Sequence, residues 1–137
     1  MSALLQPLTM PSGIRLPNRL AMASMTRNRC VDNHKPGPAT VQYYCDRARN
    51  GPGIIISEGL LVDWAGVDYP HAPFLVADEQ AAAWKKVVDG VHREGRLMYW
   101  QAWHAGVFAP SFPGDDKLRS VWAREWILLI FGTYADS

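Results

Sequence analysis

Three short stretches hold most of the side chains that could meet a ligand: "MASMTR" (residues 22–27), "SEG" (57–59) and "QAWHAG" (101–106). Each follows an apolar run and so reads as the end of a strand. Their chemistry suits an uncharged heteroaromatic ligand. A carboxamide such as that of Gln101 carries both donors and an acceptor, which matches a ring edge presenting C=O and N–H together. Gly59, lacking a side chain, lets the backbone approach a flat ring. On residue chemistry alone, Gln101 serves equally well as a polar residue of a barrel interior.

Other chemistries lack their patterns. No GxGxxG and no GxxxxGK[ST] is present, which removes the dinucleotide fingerprint and the phosphate loop. His34, His71, His92 and His104 lack the spacing of a metal site, where several ligands must converge. His92 is read as a surface residue late in a helix. Ser57 and Glu58 sit in no GxSxG turn, so a nucleophile elbow is not expected.

The elements that must position the three stretches follow from punctuation and periodicity. "PSG" (11–13) splits two apolar pieces into a β-hairpin. "RLAMA" (19–23) reads as a first core strand, followed by a loop over 24–39. Thr40 is a candidate N-cap, after which Val41, Tyr44, Cys45 and Ala48 make one helical face. Gly51, Pro52 and Gly53 stop that helix. "IIIS" (54–57), β-branched and bounded by glycines, fits a parallel strand covered on both sides. A second loop over 59–77 contains Trp64, Tyr69 and His71. Asp78 is a candidate cap for a helix on which Trp84, Val87, Val88 and Val91 repeat the same spacing, ended by Gly95. "RLMYW" (96–100) is the third strand.

Strands alternating with helices mean a parallel sheet with helical crossovers. The long loops all follow strands, whereas the helix-to-strand connections are minimal. That asymmetry favours a (β/α)8 barrel over an open doubly wound sheet, since barrels build their sites from loops at the strand C-terminal ends. The expected class is therefore α/β: the N-terminal portion of a TIM barrel, about three βα units, preceded by a hairpin.

Bulk properties bound the partners. The chain has 137 residues, is 48% hydrophobic and has a net charge of +1. That balance gives no electrostatic case for nucleic acid or an anionic membrane. The longest apolar run, "WILLIF" (126–131), is far shorter than the ~20 residues that span a bilayer. The N-terminus lacks the basic and apolar regions of a secretory signal. Cys30 and Cys45, without CxxC spacing, read as reduced thiols, and the expected compartment is the cytoplasm.

Four stretches in order, "LLQPLTMPSGIRLPNRLAMASMTRNR", "YYCDRARNGPGIIISEG", "GVDYPHAPFLVADEQAAAWKKVVDGVHREG" and "QAWHAG" with "PSFPG", resemble the Old Yellow Enzyme family of FMN-dependent ene-reductases. The resemblance covers roughly residues 3–116. It implies FMN at the barrel's C-terminal mouth, with the hairpin closing the opposite end. Thr26 matches a Thr beside the reactive edge of the flavin. Ala23, Ser24 and Met25 match backbone contacts to the ring, with Ser24 standing where Pro is frequent. Gly59 falls at a small residue against the pyrimidine edge, and Gln101 matches the Gln that hydrogen-bonds it. Tyr69 and Trp103 match the substrate side, although simple hydrophobic packing would also account for both. The implied reaction is hydride transfer from NAD(P)H through FMN to the β-carbon of a small unsaturated carbonyl substrate.

Departures from the pattern accompany these matches. The family's substrate-anchoring His/Asn or His/His pair, proton-donating Tyr, flavin-binding Arg and phosphate loops have no position here, so no catalytic residue is assigned. Val107 stands where Arg often follows the "WHxG" element. Residues 1–116 are expected to form a partial FMN-binding barrel domain and 117–137 a divergent tail, of the kind a shifted reading frame or retained intron would produce. FMN binding by the chain alone is then doubtful. Three strands leave open edges that invite self-association. The alternatives to an active oxidoreductase are a catalytically inactive remnant and a non-enzymatic assembly module.

Overall fold

The structure, a computed structural model, describes residues 2–67 and 69–106. The expected tail at 117–137 and the "PSFPG" motif lie outside the described residues. The chain begins with a hairpin of β1 (Leu8–Thr9) and β2 (Arg15–Leu16), antiparallel, with Leu8 opposite Leu16. Its turn is closed by the Ile14 carbonyl accepting the Met10 N–H at 2.8 Å, with Gly13 at φ +85°. A side chain would be strained in that left-handed conformation.

The main unit follows as β3 (Ala21–Met22), α1 (Pro38–Arg49), β4 (Ile54–Leu61), α2 (Asp78–Arg93) and β5 (Leu97–Trp103). The three strands form one parallel sheet in the order β3-β4-β5. Tyr44 and Ala48 of α1 join Trp84, Val87 and Val91 of α2 in one buried cluster with Ile55, Leu60 and Met98. Both helices therefore cover the same face of the sheet. The helical faces read from the sequence are the ones that bury, because an amphipathic stripe needs this apolar surface to pack on.

Several boundaries differ from expectation. α1 starts at Pro38 with Gly37 as its N-cap, and Thr40 is buried inside the first turn rather than capping it. Proline is already set for a first helical position, so it takes the start. α2 starts at Asp78, one residue after its N-cap Ala77. The Gln80 side chain supplies the capping acceptor instead, taking the Val76 N–H at 2.9 Å and the Ala77 N–H at 3.2 Å. The first core strand is only two residues long, while β4 continues four residues past "IIIS" and β5 three residues past "RLMYW".

The extension of β4 contains a β-bulge. Ile56 pairs with Tyr99, but Gly59 pairs with Gln101, so Ser57 and Glu58 together oppose one residue of β5. The Ser57 hydroxyl bridges the irregularity, accepting the Gln101 N–H at 3.1 Å and donating to the Glu58 carbonyl at 2.7 Å. The extra residue resets the alternation, as bulges beside functional sites commonly do. Gly59 and Leu61 consequently share a face with Gln101 and Trp103, away from the helices.

Candidate functional site

Beyond the C-terminal ends of the strands lies a cavity of about 210 Å³ lined by Ser24, Thr26, Gly59, Tyr69, Ala72, Pro73, Gln101 and Trp103. Six of these were singled out from sequence: Ser24, Thr26, Gly59, Gln101, Tyr69 and Trp103. Ala23 and Met25 lie on the same segment but are exposed and do not line the cavity. Ala72 and Pro73 were not anticipated. They reach the cavity because the second long loop returns along β4, with Phe74 bridging Leu61 and the Leu61 N–H donating to the Pro73 carbonyl at 2.9 Å.

Gln101 is held from two sides. Its backbone N–H rests on the Ser57 hydroxyl, and its Oε1 accepts the Ser24 hydroxyl at 2.5 Å. Its Nε2 donates to no described residue, which leaves a donor for a ligand. A Cβ placed on Gly59 would come within 3.0 Å of Trp103 Cβ and 3.4 Å of Gln101 Oε1. The missing side chain is thus part of the cavity's shape.

The two loops that carry Thr26 and Tyr69 are fastened to each other. Cys30 donates its N–H to the His71 carbonyl at 3.0 Å, and His71 returns its own N–H to Asn28 Oδ1 at 2.8 Å. His34 Nδ1 meets the Ala72 carbonyl at 2.7 Å, and Gln80 Nε2 donates to the Asn33 carbonyl. Asn28, Asp32, Asn33 and His34 all have positive φ, a conformation that Asn, Asp and His tolerate better than most residues. The His34, Trp64 and Phe74 rings pack beneath the loops, Trp64 stacked on Phe74 at 4.0 Å.

One buried carboxylate sits at this junction. Glu58 is 2% exposed, and its Oε2 accepts the Arg27 N–H at 2.8 Å. Burial raises its pKa, against the stabilising pull of the Arg27 and Asn28 N–H groups and the Arg27 charge. The buried Cys30 thiol is pushed up to about 12, first by burial and then by Glu58. Tyr44, whose hydroxyl accepts the Glu58 N–H at 2.9 Å, is raised for the same two reasons. The Arg27 guanidinium lies 4.1 Å from the Tyr43 ring centroid and Arg47 lies 3.5 Å from it, a cation–π pairing that ties the Thr26 segment to α1.

Among the described residues no group of three His, Cys, Asp or Glu is placed to hold a metal ion, and no helix is long and apolar enough to cross a membrane. The donor set of the cavity is neutral: the Ser24, Thr26 and Tyr69 hydroxyls, a carboxamide, a glycine backbone and two aromatic rings. It fits a flat, uncharged heteroaromatic ring.

Parallel strands, helices on one face and a ligand cavity at the strand C-terminal ends define the chain as part of a (β/α)8-barrel protein. More closely, it belongs to the NADH:flavin oxidoreductase / NADH oxidase family, whose sequence profile matches residues 3–121. It is 41% identical over 138 residues to 12-oxophytodienoate reductase 7 of Oryza sativa subsp. japonica, covering 96% of this chain and 34% of that protein. It superposes on morphinone reductase in complex with tetrahydroNAD with a TM-score of 0.71 at 36% identity, covering 80% of this chain and 29% of that one. For the Old Yellow Enzyme of Pichia sp. AKU4542 the TM-score is 0.74 at 31% identity, over 79% and 28% of the two chains. The chain therefore spans about a third of the length of such relatives. The family is FMN-dependent and uses NAD(P)H as hydride donor, so the neutral donor set agrees with the family's cofactor.

Proposed function

We propose that this chain supplies the ring-binding wall of an FMN-dependent NAD(P)H oxidoreductase of the Old Yellow Enzyme type, acting on a small unsaturated carbonyl substrate. The observation that carries the reading is the single cavity uniting Ser24, Thr26, Gly59 and Gln101 with Tyr69 and Trp103. FMN, when bound, supplies the hydride transfer. The protein's own work is to bind and orient. The Gln101 carboxamide, fixed by the Ser24 hydroxyl, meets the polar edge of the ring. The Thr26 hydroxyl hydrogen-bonds near its reactive part. Ala23 and Met25 contribute backbone from the same segment. Tyr69 and Trp103 wall the substrate side.

Residues 1–116 are the barrel portion in this reading and 117–137 a divergent tail; the sequence changes character near Lys117, and the family profile ends at residue 121. β5 pairs with β4 alone among the described residues, which supports association of a second copy along its other edge. A cytoplasmic location is supported by the free, buried thiol of Cys30.

Flavin fluorescence quenching tests the assignment. The full chain should bind FMN weakly, and Gln101→Leu should weaken that binding at least tenfold. Equal affinity of the two proteins would overturn the site. Tight stoichiometric binding would overturn the view that the rest of a barrel is needed to grip the cofactor. No binding at all would favour the inactive remnant.

A further inference from the structure

We propose that Glu58 is a positioning residue that sets both walls of the cavity at once, holding the Thr26 segment directly and the Tyr69 segment through Asn28. The proposal extends the flavin-site reading, but its structural content does not depend on a bound ligand.

The bulge provides the starting point. In an uninterrupted strand, residue 58 would point to the face opposite Gly59. Ser57 and Glu58 together oppose one residue of β5, so the alternation is broken at Glu58. β3 stops at Met22 and pairs with β4 only at Ile54 and Ile55, so the chain after β3 has no strand partner alongside residues 57–59. The Glu58 carboxylate takes that role. It accepts the Arg27 N–H at 2.8 Å, and the next N–H, that of Asn28, also stabilises its ionised form. Asn28 has φ +52°, so the backbone turns at the residue that follows Arg27, directly over the carboxylate. The chain thus supplies its own acceptor to shape the loop.

Asn28 carries the link onward. Its Oδ1 accepts the His71 N–H at 2.8 Å, and two residues later Cys30 donates to the His71 carbonyl. His71 is thereby held at both backbone polar groups, two residues from Tyr69 and one from the cavity-lining Ala72. Thr26 is one residue before Arg27. From a single carboxylate, hydrogen bonds run to residues adjoining both walls.

A carboxylate role and a space-filling role make opposite demands. Glu58→Gln preserves volume but removes the charge and replaces one of the two acceptor oxygens by an N–H2 group, leaving one neutral acceptor for the two N–H groups. Glu58→Asp preserves the charge but removes a methylene. Site-resolved amide hydrogen exchange on the full chain distinguishes them without any cofactor. In Glu58→Gln, exchange at Arg27 and at His71 should accelerate at least tenfold, while Val87 and Val91 of α2 exchange as in the wild type. Glu58→Asp should be less affected than Glu58→Gln at both sites. Asn28→Gly, which keeps the left-handed backbone at no steric cost, should free His71 and leave Arg27 protected; it also tests the second link if the Glu58 variants fail to fold. Wild-type protection in Glu58→Gln, greater loss in Asp than in Gln, acceleration spread evenly over both helices, or an unaffected His71 in Asn28→Gly would each overturn the proposal. FMN titration of the same proteins separates the two claims: localised loop release in a chain that binds no FMN would sustain the positioning role and remove the flavin reading.

Discussion

Gly59 and Trp103 share space so closely that neither can be changed independently. A Cβ at residue 59 would stand 3.0 Å from Trp103 Cβ and 3.1 Å from its Cγ. The Cβ of Trp103 cannot retreat without moving β5. Gly59→Ala should therefore destabilise the fold by about 1–2 kcal/mol, within the usual range for an overpacked site, and shrink the cavity. Urea denaturation gives the first value; weaker FMN quenching reports the second. A neutral Gly59→Ala variant would show that β5 shifts at Trp103 without cost. Gly59 and Gln101 were legible in the sequence because a glycine and a carboxamide at strand ends suggest a flat ligand. Glu58 was not. Beside Ser57 it suggested only a failed nucleophile motif, since nothing local shows that a carboxylate will meet the Arg27 amide, 31 residues away. Ala72 and Pro73 were hidden for a similar reason: small apolar loop residues carry no chemical signal until a loop folds back along a strand.

At the level of elements, periodicity revealed the two helices and their buried faces, and the glycine and proline clusters revealed where they stop. The strands were cut short because the bulge breaks the period that defines them: Glu58 and Gly59 look like loop residues yet lie inside β4. The packing between α1 and α2 depends on a detail equally invisible to pattern. Gly90 sits in the middle of α2, and a Cβ there would lie 2.6 Å from the Cys45 sulfur. Two effects oppose each other in Gly90→Ala. Helix propensity favours alanine by about 1 kcal/mol, while overpacking costs about 1–3 kcal/mol. The clash should win, with a net loss of about 1 kcal/mol in thermal or urea unfolding. Adding Cys45→Ala removes the sulfur and should let the propensity gain emerge, so the double variant should be more stable than the two single effects predict. Strict additivity would mean that the helices are not in contact at that point.

Among the described residues, the three-stranded parallel sheet buries one apolar cluster under the two helices and a smaller one of Leu61, Ala72 and Phe74 on the other side, and buried titratable groups gather around Glu58. This arrangement couples stability to pH through the titratable cluster. Cys30 has an ordinary thiol value of 9.0 when unfolded and about 12 when folded, because burial and the nearby Glu58 both disfavour the thiolate. Tyr44 is shifted the same way. A folded-state value above the unfolded one means that stability is fully present below pH 9. It is lost as pH rises, since the unfolded thiol releases its proton while the folded one retains it. Each such group contributes a slope of up to about 1.4 kcal/mol per pH unit. The urea midpoint should accordingly fall steadily from pH 9 to pH 11. In Cys30→Ala the decline should be shallower, with the Tyr44 share remaining. At pH 8 the native thiol should also resist alkylation until urea unfolds the chain, as mass mapping of labelled Cys30 against the half-buried Cys45 would show. An unchanged alkaline slope in Cys30→Ala, or rapid labelling of Cys30 in the native chain, would mean that the loop over the cluster opens readily and that the two cavity walls are not held as described.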